Sequence, residues 1–235
     1  MTSNALLWVV ALPLVGCAKT DSSDVLTSGI HASISATSAG VGTTDVHATL
    51  FLGNPINLSF VELTGNDELI ASHGGEDKVM VETELLNVVS HRASFQTDAE
   101  GAELEVAFLR TVDDGAPRSI ATLPAKFTLV QPATSASRAA ALSLEWSPAA
   151  TSDLMSWSVE GDCIERESSP ITGDPGTAVI PADTIMLRAA TSTPETCVIT
   201  VAVTRTRGGT VDRGYGEGGT FTGNQTRKIQ LMSTP

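Results

Sequence analysis

The residue types that could do chemistry in this chain are few and dispersed. His31, His47, His73 and His91 are its four histidines. His31 and His47 fall inside alternating apolar runs, where a strand-facing ring is the ordinary reading. Only His73-Gly74-Gly75-Glu76-Asp77 sets an imidazole beside two carboxylates, the grouping that acid–base work or a divalent cation would need. Between two β-like runs the same letters read as a turn. The carboxylates of Asp98-Ala99-Glu100-Gly101-Ala102-Glu103 and of Asn66-Asp67-Glu68 could offer oxygens to calcium. Neither stretch has the register of an EF-hand loop, and solvated turn charges are the simpler account. No Gly-x-Ser-x-Gly, Ser-x-x-Lys, phosphate-binding glycine loop or His-Glu-x-x-His is present. The expectation is no catalytic residue, no metal and no cofactor. A hydrolase whose site is assembled from residues distant in sequence is the alternative.

One stretch has the composition of a contact loop. Residues 207–224, RGGTVDRGYGEGGTFTGN, hold seven glycines, the chain's only tyrosine, Tyr215, and Phe221. An exposed aromatic in a glycine-rich loop is a common anchor for a partner, so Arg213, Tyr215, Glu217 and Phe221 are candidate binding residues. The competing account is an ordinary hairpin whose tyrosine packs on its own sheet.

The third kind of chemistry belongs to cysteine. Residues 5–16 carry no charge, and the run ends at Cys17. It is too short for the roughly 20 residues that cross a bilayer as a helix, and it ends in small residues, as cleaved export signals do. Residues 1–4 contain no Lys or Arg, which departs from the usual start of such signals. Leu14-Val15-Gly16-Cys17 resembles the lipobox of bacterial lipoproteins. That resemblance implies cleavage after residue 16, acyl chains on Cys17, attachment to a membrane and a polar tether over residues 17–27. Ala18, following the cysteine, is not the Asp used for inner-membrane retention, which by resemblance favours the outer membrane. Two or more acyl chains give stable anchoring where one does not.

With Cys17 assigned to lipid, Cys163 and Cys197 are a pair in an oxidising compartment, where a disulfide is the expected state. Two free thiols or half of a zinc site are the alternatives, and no histidine lies near either cysteine in sequence. Net charge is −13 and the pI is near 4.6. An acidic chain of this kind lacks the basic footprint that nucleic acid requires and has no electrostatic attraction to anionic lipid.

The elements that must position these residues are β-strands. Short alternating runs at 30–36, 47–52, 78–82, 103–109, 126–130, 141–146, 155–159, 184–187, 198–204 and 228–232 are separated by turn signals such as Gly53-Asn54-Pro55 and Gly173-Asp174-Pro175-Gly176. Residues 84–89 are the one short piece with helical character. Four partial matches recur in the same order, three at an offset near 95 residues and the last at 102. Val106-Ala107-Phe108-Leu109-Arg110-Thr111 matches Val201-Ala202-Val203-Thr204-Arg205-Thr206. Leu63-Thr64-Gly65-Asn66 falls against Val159-Glu160-Gly161-Asp162, and Leu52-Gly53-Asn54-Pro55 against Glu145-Trp146-Ser147-Pro148. Lys126-Phe127-Thr128-Leu129 and Lys228-Ile229-Gln230-Leu231 would close the two halves.

That period, with about seven strands in each copy, resembles immunoglobulin-like β-sandwich domains in tandem. The fold class implied is all-β: a signal peptide over 1–16, an acylated tether over 17–27, and sandwich domains over 28–130 and 139–235. A linker at 131–138 joins them, giving a bent rod with limited hinge motion. By the same resemblance Cys163 ends a third strand and Cys197 begins a sixth, its antiparallel neighbour. The functional expectation is a non-enzymatic, lipid-anchored envelope protein presenting β-sandwich loops to a protein or glycan partner.

Overall fold

Alternation of side chains sets the architecture, because a strand buries every second residue. His31–Ser38 shows this in its simplest form, with Ala32, Ile34, Ala36 and Ser38 buried and their neighbours facing outward. The computed structural model describes residues 18–54, 57–189 and 195–235. Among them the chain runs through β1 (Ala18–Asp21), β2 (His31–Ser38), β3 (Thr44–Asn54), β4 (Asn57–Glu62), β5 (Glu68–His73) and β6 (Glu76–Val79). It continues through β7 (Val81–Leu85), β8 (Val88–Phe95), β9 (Glu103–Leu109), β10 (Ala116–Thr122), β11 (Thr128–Val130) and β12 (Ser135–Ser137). The last six are β13 (Leu142–Ser147), β14 (Leu154–Gly161), β15 (Glu167–Ile171), β16 (Thr177–Ile180), β17 (Cys197–Gly208) and β18 (Gly219–Thr234).

Buried residues form two clusters. In the first, the four-stranded sheet β10-β9-β5-β6 faces β2, β3 and β8, with Leu69, Val106 and Phe108 packed against Ile34, Val46, Leu50 and Phe95. The chain crosses between these layers at Met80, whose side chain is buried and whose N–H donates to the Leu69 carbonyl at 2.8 Å. In the second, the three-stranded sheet β11-β13-β16 faces β12, β18, β17, β14 and β15, enclosing Leu144, Trp146, Trp157 and Val201.

One strand belongs to both. Residues 222–233 of β18 form an antiparallel ladder with β17. Residues 219–225 also pair in parallel with β2 of the first cluster. An 11-stranded sheet therefore passes through both clusters, and its seam is backbone hydrogen bonding.

Several expectations are corrected. The stretch read as a free polar tether begins with β1, which pairs in parallel with β4, and Ser22 and Thr27 beyond it are buried. Residues 84–89 form the tip of the β7–β8 hairpin, not a helix. Leu86 and Asn87 take φ of 53° and 64°, the left-handed pair that a tight hairpin turn requires. Residues 78–82 are two strands divided at Met80, because the run passes from one sheet to the other. Residues 184–187 contribute an isolated bridge, Ile164 to Leu187, and no strand.

Lys126-Phe127-Thr128-Leu129 does not close the first half. It leads into β11, and Phe127 is buried in the second cluster, four residues after Leu123 in the first. The stretch proposed as a linker contains β12, paired with β18. Of the internal matches, β9 corresponds to β17 and β3 to β13 in their sheet neighbours. Leu63-Thr64-Gly65-Asn66 follows β4, whereas Val159 lies within β14, so that match has no structural counterpart.

Candidate functional site

The stretch at 207–224 is built into the first cluster instead of standing free. Tyr215 is 3% exposed and Phe221 2% exposed, and both belong to the first core. The Tyr215 ring lies parallel to that of Phe108, with centroids 6.1 Å apart. Phe221 sits on β18 opposite Ile34 of β2. Arg213 and Glu217 are exposed in the turns on either side of Tyr215, and the Glu217 carbonyl lies 3.2 Å from Nδ1 of His31. Its premise of exposed aromatics thus fails: this is a seam between the two halves of the molecule.

The glycines explain how the seam closes. A Cβ on Gly209 would lie 2.2 Å from the Ile120 carbonyl oxygen, and one on Gly223 would lie 2.0 Å from that of Thr122. Their role is close backbone approach, and the sequence reading had assigned them freedom. Asp212 adds polar stitches, accepting from the Arg118 N–H at 2.7 Å, while its own N–H donates to Ser119 Oγ at 3.0 Å.

Three arginines finish the joint. Arg207 grips Asp153 through Nε and Nη2 at 2.8 and 2.9 Å and donates to the Leu123 carbonyl at 3.2 Å. Arg227 donates to the Phe127 carbonyl at 2.9 Å. Arg205, fully buried, donates to the carbonyls of Ala125 and Pro148 at 2.8 Å each and pairs with Asp174 at 2.8 Å. Asp174 also accepts from Trp146 Nε1 at 2.7 Å and from the Thr151 hydroxyl at 2.7 Å. Its burial opposes ionisation, but these donors and the guanidinium prevail and hold its carboxyl below the usual range. The chain crosses between the two clusters at 123–127, ahead of the linker expected at 131–138, and is clamped there on both sides.

Arg110 has the same part in the first cluster. Its side chain is fully buried, pairs with Asp67 at 3.0 Å, and donates to Thr27 Oγ1 and the carbonyls of Val25 and Ser22. Sequence reasoning assigned neither arginine, although the Arg-Thr shared by the strongest internal match was the signal.

Cys163 and Cys197 form a disulfide with Cα atoms 6.0 Å apart. It links the end of β14 to the start of β17, antiparallel neighbours in the sheet. Cys17 lies outside the described residues. His73 and the Asp77 carboxylate line an open groove of about 440 Å³ with Glu103 and Glu105, and Nδ1 of His73 is 2.8 Å from the Glu103 carbonyl. Among the described residues no set of three His, Cys, Asp or Glu side chains is arranged to hold a metal. Nor does any histidine there hydrogen-bond to a Ser or Asp side chain.

A second groove, of about 500 Å³, lies between the outer face of β3, β8 and β7 and the end of β6. Val79, Val81 and Ala93 give it an apolar side, and Asp45, His47, Lys78 and Arg92 a polar one. Val81 is 67% exposed, and β7 is an edge strand whose every residue faces solvent. Burial, reinforced by the Arg92 charge, lowers the His47 pKa below 6.5 and keeps the imidazole neutral at pH 7.

No family model and no curated protein matches the chain. Two solved structures are similar at low level. One is of fibronectin(III)-like modules of Clostridium thermocellum CbhA, at 10% identity, covering 86% of this chain and 91% of that one, with a TM-score of 0.21. The other is SGBP-B of the Bacteroides ovatus mixed-linkage glucan utilization locus, in complex with a mixed-linkage heptasaccharide. It shows 10% identity, coverage of 96% and 71%, and a TM-score of 0.21. Neither likeness speaks to what this chain binds. The strand order does speak to architecture, since β11-β13-β16 opposite β12-β18-β17-β14-β15 is a sandwich with sheets of unequal width. This is an all-β fold whose packed sheets have the layered arrangement of immunoglobulin-like sandwiches.

Proposed function

We propose that the chain is a lipid-anchored envelope protein that works by binding, not by catalysis, and that its partner is a protein. Cys17 in Leu14-Val15-Gly16-Cys17 carries the acyl chains, and the outer membrane is the destination. The disulfide supports a mature chain held in an oxidising compartment. The observation that carries the binding reading is the groove beside β7, where an edge strand turns Val81 to solvent next to Val79 and Arg92. β7 is short and carries Glu82 and Glu84, as protected edge strands do, so it is the exposed apolar patch of Val79 and Val81 that marks an interaction site.

A protein is favoured over a glycan by the placement of the rings. Sugars settle on flat aromatic faces, but among the described residues Trp146, Trp157 and Tyr215 are buried, as are Phe60, Phe95, Phe108, Phe127 and Phe221, and the half-buried Phe51 has the His31 ring packed against it at 4.7 Å.

Two experiments test this. Growth with labelled palmitate should mark the wild-type chain and leave Cys17→Ala unmarked and released from membranes. A photo-crosslinking residue at Thr83 should give one discrete protein adduct in intact cells, lost when Val79→Asp and Val81→Asp are added. Label on Cys17→Ala would refute the anchor, and adducts indifferent to the groove substitutions would refute the binding face.

A further inference from the structure

The tip of the β7–β8 hairpin has a composition that folding alone does not account for. Leu85 is 74% exposed, Leu86 85% and Val88 37%. Leu86 holds a φ of 53°, a left-handed conformation that Gly and Asn adopt readily and a leucine resists. A two-residue turn of this kind ordinarily takes polar or glycine residues. Here the turn keeps a strained leucine pointing into solvent beside another.

The register of the sheet says what lies at that end of the molecule. Ala18 of β1 is level with Ser59 of β4, and Ser59 with Leu52 of β3. The β3–β8 ladder runs from Thr44–Phe95 to Ala48–His91, and beyond it the same edge of β3 is taken over by β4, so the β7–β8 tip leaves β3 where β4 joins it. A side-chain bridge confirms the proximity, because Lys19 Nζ reaches Glu84 of β7 at 3.1 Å and Glu62 of β4 at 2.9 Å. The hairpin tip and the start of β1 therefore share one end of the fold. Lys19 is two residues from Cys17, a span of roughly 7 Å in extended chain.

We propose that the Leu85-Leu86 tip is a membrane-contacting wedge that enters the lipid surface beside the acyl chains of Cys17 and fixes the orientation of the module. This rests on the lipid-anchor reading above. The wedge need not anchor by itself. Acylation already holds it at high local concentration over the bilayer, where even a small apolar contact is populated. The contact is apolar and not electrostatic, since Lys19 is occupied by two carboxylates and the net charge is −13.

The test uses the acylated full-length protein in vesicles of phosphatidylethanolamine and phosphatidylglycerol at about three to one, with brominated acyl chains as quencher. Leu86→Trp reports from the tip. Leu154→Trp, at an exposed position at the start of β14, is the control, and the buried Trp146 and Trp157 give a common background. The expected result is severalfold stronger quenching of the L86W signal than of the L154W signal, with a blue shift, unchanged by added salt. Should L86W misfold by circular dichroism, Leu85→Trp carries the same readout. Equal quenching of tip and control in protein that floats with the vesicles overturns the wedge and leaves the anchor standing. Failure of the wild-type protein to float overturns the anchor, and the wedge with it.

Discussion

Phe108 of β9 and Tyr215 of the β17–β18 connection stack with their planes 2° from parallel, so a strand of one sandwich is completed by a loop that belongs in sequence to the other. Tyr215→Ala should remove about 3–5 kcal/mol of stability in urea unfolding, as loss of a buried aromatic does. Tyr215→Phe should move the other way. The phenol oxygen is buried without a partner, and burial raises its pKa, so the hydroxyl stays protonated and unpaired. Deleting it should raise stability by about 1 kcal/mol. A loss in the Phe variant would show that the hydroxyl makes a bond after all.

The two buried arginines predict a contrast with a surface pair. Arg205→Ala leaves Asp174 charged and buried, so about 3–5 kcal/mol should be lost. Arg205→Lys should recover only part of it, because one ammonium cannot reach Asp174 and the Ala125 and Pro148 carbonyls together. Arg118→Ala, which breaks an exposed bridge to Glu105, should change stability by no more than about 0.5 kcal/mol.

Glycine substitutions separate close approach from flexibility. Gly223→Ala drives a methyl into the Thr122 carbonyl and should cost about 1–3 kcal/mol. Gly208→Ala meets open space within 4 Å and should be close to neutral. If both were neutral under chemical denaturation, the seam would be looser than its backbone contacts indicate.

Acid should weaken the first sandwich through His91. Burial lowers its pKa below 6.5, against the opposing pull of Glu82 at 3.3 Å and the Ala48 backbone. The folded state thus binds its proton less readily than the unfolded chain does. His91 costs nothing above pH 6.5, and stability falls as pH drops from 6.5 toward the lowered folded value. His91→Gln should flatten that part of a stability–pH curve; an unchanged slope would place the sensitivity elsewhere.

How much of this was legible in the sequence follows from what strands reveal locally. Alternation marked β2, β9 and β14, because each buries one clean face, and β17, where only Ala202 breaks the pattern by being buried on the opposite face. It could not mark where β6 ends and β7 begins, since Val79, Met80 and Val81 form an unbroken apolar run while the backbone changes sheets. The cysteine pair was legible from counting and compartment. The role of residues 207–224 was not. A glycine followed by an aromatic carries the same letters whether the backbone is free or pressed against Ile120 and Thr122. The arginines were hidden for a related reason: their partners, Asp67 and Asp174, lie 43 and 31 residues away, at distances no local pattern reports.

The long final strand also bears on the order of assembly. A chain synthesised N-terminus first normally lets its leading half settle before the trailing half arrives. Here Tyr215 and Phe221 emerge only after β11 to β17, so the leading sandwich waits, its edge at β2 open, until β18 is delivered. A truncation beyond β17 would therefore be felt most by residues translated first.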